Sequence, residues 1–184
     1  MAEPAAAEVI AFWREAGPAR WYAKDDQFDA DIRDKFSALH HAAARGELPG
    51  WADNWQGALA RFILLDQLPR NMFRGSAHAF ATDPLARSLS AAALAAGFDH
   101  ECPADLRVFF YMPLEHSELL ADQEHCVTLC EALDAASGSE WAKWARLHRD
   151  IIARFGRFPH RNAELGRGST PEEAEFLASG GFSG

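Results

Sequence analysis

Residues 25–46 read DDQFDADIRDKFSALHHAAARG, and within them Phe28, Ile32, Phe36, Leu39 and Ala43 recur at intervals of three and four. That spacing lays all five on one face of an α-helix and does not fit the two-residue period of a strand. Asp25 and Asp26 open the stripe, at the end where a helix favours negative charge, and Gly46 closes it.

The same period runs outward in both directions. Val9, Phe12, Trp13 and Ala16 form a stripe that Gly17-Pro18 stops. Ala58, Leu59, Phe62, Ile63 and Leu65 form a third, expected to end before Pro69 because a proline disfavours the helical region for its predecessor. Asp83-Pro84 reads as an N-cap with proline in the first helical position, from which Leu85, Leu89 and Ala93 run to Gly97. Residues 104–111 suggest a fifth helix interrupted at Pro113. That proline can start a sixth, carried by Leu119, Leu120, Gln123, Val127, Cys130 and Leu133 to about Ala136. Trp141, Trp144, His148, Ile151 and Phe155 form a seventh stripe, with Gly156 suited to the left-handed position after its end. Thr170, Pro171 and Glu173 fit a capping box for a short last helix. Valine and threonine are sparse and alternating patterns are missing. The expectation is an all-α fold of seven to eight helices in antiparallel hairpins, one domain over 1–184 with a core of about 8–178.

Composition narrows the function classes. With 184 residues, 48% hydrophobic and 24% charged, the chain reads as soluble and globular. No run of 18 apolar residues occurs, so no membrane partner is expected. The alanine-rich start has no basic flank and meets Glu8, unlike a secretory leader, and three cysteines suit a reducing cytoplasm better than a disulfide framework. A net charge of −9 repels phosphate backbones, so no nucleic-acid partner is expected. Residues 101–140 hold nine acids and one base, whereas 141–167 hold seven bases and two acids. Either the two stretches are neighbouring helices with complementary faces, or the basic one lines an anion pocket.

Three segments carry polar residues that a helical core does not require. Asp66-Gln67-Leu68-Pro69-Arg70-Asn71 places an acid where a helix is expected to end, against the dipole. Either Arg70 or Arg74 fixes Asp66 in the turn, or Asp66 orients a group that meets a ligand. In Pro113-Leu114-Glu115-His116-Ser117-Glu118, a helix starting at Pro113 would set Glu115, Glu118, Asp122 and His125 on one face. That face reads as a solvated acidic surface; a metal would need the duplicated Glu-x-x-His that is missing, so no metal is expected. In Phe155-Gly156-Arg157-Phe158-Pro159-His160-Arg161-Asn162, guanidinium, imidazole and amide donors crowd behind a helix end, suiting a carboxylate or phosphate. The alternative there is pairing with Glu115, Glu118 or Asp66. His148, within an apolar stripe, and Cys126 and Cys130, one turn apart, read as core. No nucleophile elbow, phosphate-cradling glycine loop or dinucleotide fingerprint occurs, and no cofactor is expected.

Those segments, with Phe12-Trp13, Trp21-Tyr22, Met72-Phe73-Arg74-Gly75, Phe109-Phe110-Tyr111-Met112, Leu165-Gly166-Arg167 and Ser169-Thr170-Pro171-Glu172-Glu173, resemble the bacterial family catalogued as domain of unknown function 924. The resemblance spans roughly residues 8–178, with Ala2–Ala7 outside it as an extension. It implies a tetratricopeptide-like stack of helical hairpins with a concave side, and it implies no substrate.

Two functional expectations follow. The first is a small anionic-ligand site, enzymatic or not, where the three segments converge. Arg157, Arg161, Asn162, Glu118, Asp66, Gln67, Arg70, Asn71 and Arg74 would bind, and Glu115 with His116 or His160 would exchange protons. The second is an interaction module whose concave face holds a peptide on exposed aromatics such as Trp21, Trp51 and Trp55. Beside both stands a purely structural reading, in which the polar segments form an internal network that sets helix register.

Overall fold

The computed structural model describes residues 4–182, so Ala2 and Glu3 of the expected extension lie outside the described residues. Among those described there is no strand, and the all-α expectation holds. The chain gathers into two compact units.

Unit one comprises the described residues up to Arg74 together with His78–Pro113. It opens with α1 (Pro4–Ala16), α2 (Pro18–Trp21) and α3 (Asp26–Ala44), followed by a 3-10 turn at Pro49–Ala52 and α4 (Trp55–Phe62). After a π-helical turn at Ile63–Gln67 come α5 (Leu68–Met72), α6 (Asp83–Ala95), α7 (Phe98–Glu101) and α8 (Ala104–Arg107). Helix α3 is the stripe of residues 25–46 realised: the Asp25 carboxylate accepts the Gln27 and Phe28 N–H groups, and Phe28, Ile32, Phe36 and Ala43 are buried. Leu39 of the expected stripe lies at its margin, half-buried. The core gathers on aromatic rings. Trp13 stacks on Trp21 at 5.8 Å between centroids, and Phe109 meets Trp21 edge-on at 4.9 Å. The buried Trp21 Nε1–H is satisfied by the Trp13 carbonyl at 2.6 Å.

Two local expectations are corrected in this unit. The third stripe does not end before Pro69, because Pro69 sits in the first turn of α5, where its missing N–H costs nothing. Asp66 accordingly lies inside the π-helical turn rather than at a helix end. The N-cap of α6 is Thr82, not Asp83, and the Thr82 hydroxyl donates to the Leu65 carbonyl instead of capping. Asp83 is left in the first turn, where its carboxylate takes the Arg70 guanidinium at 3.0 Å.

The expected fifth helix resolves into α8, a 3-10 turn at Val108–Phe110 and α9 (Met112–Glu115). There are more segments than the seven to eight expected because α2, α7, α8 and α9 are single turns of four residues.

Unit two comprises Gly75–Ala77 and the chain from Leu114 onward, with α10 (Leu120–Ser137), α11 (Trp141–Phe155), a 3-10 turn at Pro159–Arg161 and α12 (Pro171–Ala178). Helix α10 does not begin at Pro113. The Ser117 hydroxyl accepts the Leu119 N–H and the chain re-enters helix only at Leu120. Glu115, Glu118, Asp122 and His125 therefore share no single helical face, which corrects the acidic stripe drawn from their spacing.

Helices α10 and α11 form an antiparallel hairpin joined at Gly138, whose φ of +72° only glycine adopts cheaply. Asp134 locks it by accepting the Trp141 and Ala142 N–H groups at 2.9 Å each. The complementary charge of the two stretches is partly realised where Arg146 meets Glu131 at 2.6 Å. The stripe on α11 is rotated from the one expected: Ala142, Ala145, His148, Ile151 and Ile152 are buried, whereas Trp144 is 47% exposed. The capping box of Thr170 and Glu173 at the start of α12 forms as expected.

Candidate functional site

In unit one the segment from Asp66 to Arg74 is held by acids of the same unit. Arg70 donates to the Asp66 carbonyl and lies 3.4 Å from its carboxylate, while its fork grips Asp83 at 3.1 and 3.0 Å. Gln67 donates to Asp66 at 2.5 Å and reaches the Met112 sulfur. Asn71 and Arg74 both donate to the buried Asp29, at 2.9 and 2.6 Å. Five of the expected ligand-binding residues thus belong to a hydrogen-bonded knot around Asp66, Asp83 and Asp29.

In unit two the other segments do come together. Glu118 accepts the Phe158 N–H at 2.8 Å and pairs with both arms of Arg167 at 2.8 and 3.0 Å. Burial would raise the Glu118 carboxyl, but Arg167 and the Phe158 N–H outweigh it and leave it below the usual glutamate range. Arg161 donates to the His116 carbonyl at 3.1 Å with its guanidinium 4.4 Å above the Phe158 ring. Arg157 grips Glu173 with two bonds of 2.6 and 2.8 Å, and Asn162 adds a third donor at 3.3 Å. These contacts, Arg157 foremost, draw the buried Glu173 carboxyl down to about 2.

Arg157 therefore pairs with Glu173, Arg161 donates to the His116 carbonyl, and of the expected acids Glu118 takes the Phe158 N–H together with Arg167. Gly166-Arg167-Gly168 and the Glu173 capping box were visible in the sequence. That they find partners eleven to forty-nine residues away along the chain was not.

Glu115 turns inward, 6% exposed, with its carboxylate 2.9 Å from His148 Nδ1. The ligand atoms of Glu115, Cys126 and Cys130 lie within 4.8 Å of one another. His116 and His148 are 6.3 Å apart between ring centroids, and His160 packs against Phe158 at 5.6 Å. The core reading of His148 and the two cysteines fits their burial.

A different arginine lies beside open space. In unit one, a hollow of about 120 Å³ lies where α4, α6 and α7 meet, with Arg61 in its wall. Ala58, Ala92, Ala93 and Ala96 leave the room there, since a methyl fills little of the gap between helices, and Phe62 and Phe98 close the sides. No acidic residue lines it. The Arg61 Nε is shielded from solvent without a hydrogen-bond partner, and burial lowers the guanidinium from its usual range. Sequence reading missed Arg61 because one arginine within a helical stripe looks like a solvent-facing residue. The available signal was the run of alanines on α6, which predicts a shallow facing surface.

Residues 9–181 match the family described as bacterial protein of unknown function, domain of unknown function 924. A solved structure of a protein of unknown function from Agrobacterium tumefaciens is 47% identical, covering 96% of this chain and 98% of that one, with a TM-score of 0.89. No curated protein matches. With nearly the whole chain matched, this protein belongs to the domain of unknown function 924 family.

Proposed function

We propose that this protein binds a small organic anion carrying a short apolar group, held in the hollow beside Arg61. The observation that carries this reading is a half-buried guanidinium with an orphan Nε at the edge of an apolar space that contains no acid. A desolvated cation without a counter-charge is costly unless something supplies the negative group. A carboxylate would accept from Arg61 while a short aliphatic chain lay on Ala92, Ala93 and Phe98. A volume of about 120 Å³ is somewhat smaller than the ~150 Å³ of an apolar cavity that admits benzene, so the buried aliphatic part is limited to about four or five carbons.

The reading draws on none of the arginines expected to bind, because Arg70, Arg74 and Arg157 already hold Asp83, Asp29 and Glu173, and Arg161 donates to the His116 carbonyl. The interaction-module reading loses two of its named anchors, since Trp21 and Trp51 are buried at 6% and 2% exposure.

Titration of the protein with valerate, followed by amide chemical shifts, tests the proposal. Shifts are expected at Ala92, Ala93 and Phe98, with affinity at least tenfold weaker in Arg61→Gln and in Ala92→Leu, which fills the hollow. Arg157→Ala is expected to bind as wild type does. Binding lost in Arg157→Ala but retained in Arg61→Gln would move the anion to the 157–162 turn and end this reading.

A further inference from the structure

We propose that Glu115, Cys126 and Cys130 form a binding site for a thiophilic divalent cation, with Zn²⁺ as the representative ion. The site is independent of the Arg61 hollow.

Cys126 and Cys130 are spaced four residues apart on α10, so both thiols leave the same face, and their sulfurs stand 3.9 Å apart. Two thiolates on one tetrahedral zinc, each at about 2.3 Å, would be separated by roughly 3.8 Å. The Glu115 carboxylate completes a trio whose ligand atoms all fall within 4.8 Å. Cys126 and Cys130 are fully buried and Glu115 nearly so.

The electrostatics of this trio favour a cation. Three groups that ionise to anions are crowded together away from water, and the neighbouring Cys130, burial and the Glu115 charge push the Cys126 thiol well above its ordinary range. The Cys126 thiol therefore keeps its proton when no cation is present. A divalent ion takes the place of the two thiol protons, forms two metal–sulfur bonds and one metal–oxygen bond, and releases two protons to solvent. His148 packs against the trio, its Nδ1–H shared between Glu115 Oε1 and the Trp144 carbonyl, each 2.9 Å away.

A second observation points the same way. Gln123 precedes Cys126 by three residues on the same helical face and is fully buried. Its Nε2 donates to the Glu115 and Ser117 carbonyls at 2.5 and 2.6 Å, and its Oε1 has no hydrogen-bond partner. A buried amide oxygen rarely goes unsatisfied, and this one belongs to the residue one turn before Cys126 on α10.

The test is titration of the full chain with Co²⁺ under a reductant that contains no thiol. One equivalent is expected to produce thiolate-to-cobalt charge-transfer absorption, which Zn²⁺ abolishes by displacement. Cys126→Ala and Cys130→Ala should each weaken binding by tenfold or more, while Cys102→Ala, in unit one, should leave it unchanged. Should the core variants fail to fold, X-ray absorption on the zinc-loaded wild type counts the ligands directly, and two sulfurs at about 2.3 Å are expected. A cobalt complex without the thiolate band, a band that survives loss of both α10 cysteines, or a zinc shell without sulfur would overturn the proposal.

Discussion

Glu173→Ala is expected to destabilise the protein by about 2–3 kcal/mol, a fall of roughly 4–12 °C in melting temperature. Glu173 is 2% exposed and accepts from Arg157 twice, from Asn162, and from the Thr170 backbone as half of the capping box. Its removal unties the 157–162 turn and the start of α12 at once. The cost falls below the ~3–5 kcal/mol of a fully buried pair losing one partner, because the Arg157 side chain keeps 28% of its exposure and can turn to water.

The pH dependence of the same carboxyl has a definite sign. Folding lowers its pKa from 4.5 to about 2, so the unfolded chain binds the proton more tightly. Its contribution is complete above about pH 4.5 and is lost as the pH falls towards 2. In denaturant titrations the advantage of wild type over Glu173→Gln should shrink across that window. An advantage that stayed constant down to pH 2 would show that the ion pair does not set it.

Gly57→Ala should also destabilise, although helix propensity alone favours alanine by about 1 kcal/mol. Gly57 lies in the first turn of α4, where the Asn54 side chain accepts its N–H at 2.9 Å. A Cβ there would come 2.6 Å from the Trp51 Cα and 2.8 Å from its carbonyl carbon. Those are backbone atoms of a tight 3-10 turn, so no rotamer change relieves the clash. The turn must move, and with it the buried Trp51. Overpacking of this kind costs about 1–3 kcal/mol, and backbone against backbone belongs at the upper end. Because α4 also carries Arg61, the variant should weaken valerate binding as well. A Gly57→Ala protein as stable as wild type would mean that α4 and the Pro49–Ala52 turn can separate freely.

The elements that could be read from the sequence share one property: their signals are local. The α3 stripe, the stop at Gly17-Pro18, the left-handed Gly156 and the Thr170–Glu173 box each depend on residues within about four positions of one another, and the structure has all of them. The misplaced boundaries fall where a distant group overrides the local preference. At Thr82 the Leu65 carbonyl takes the hydroxyl that would have capped α6. At Leu114–Ser117, Gln123 satisfies the carbonyls that a continuous helix would have bonded internally.

The candidate sites show the same division more sharply. The sequence displayed the acids, imidazoles and guanidinium groups of the three polar segments but not which of them would neutralise one another. Glu118 with Arg167 and Asp29 with Arg74 are separated by 49 and 45 residues. Nor could spacing reveal that the Arg61 Nε would have no hydrogen-bond partner among the described residues, or that Glu115 would turn towards two thiols on α10.

From its sequence alone this protein was bound to be an all-α chain with its principal helices and most of their caps, because backbone hydrogen bonds and side-chain period are settled within a turn or two. Its packing alone decided which charges were spent on one another and which stayed available. The Coulomb and desolvation energies of a side chain depend on neighbours within a few ångströms in space, however far away they lie along the chain.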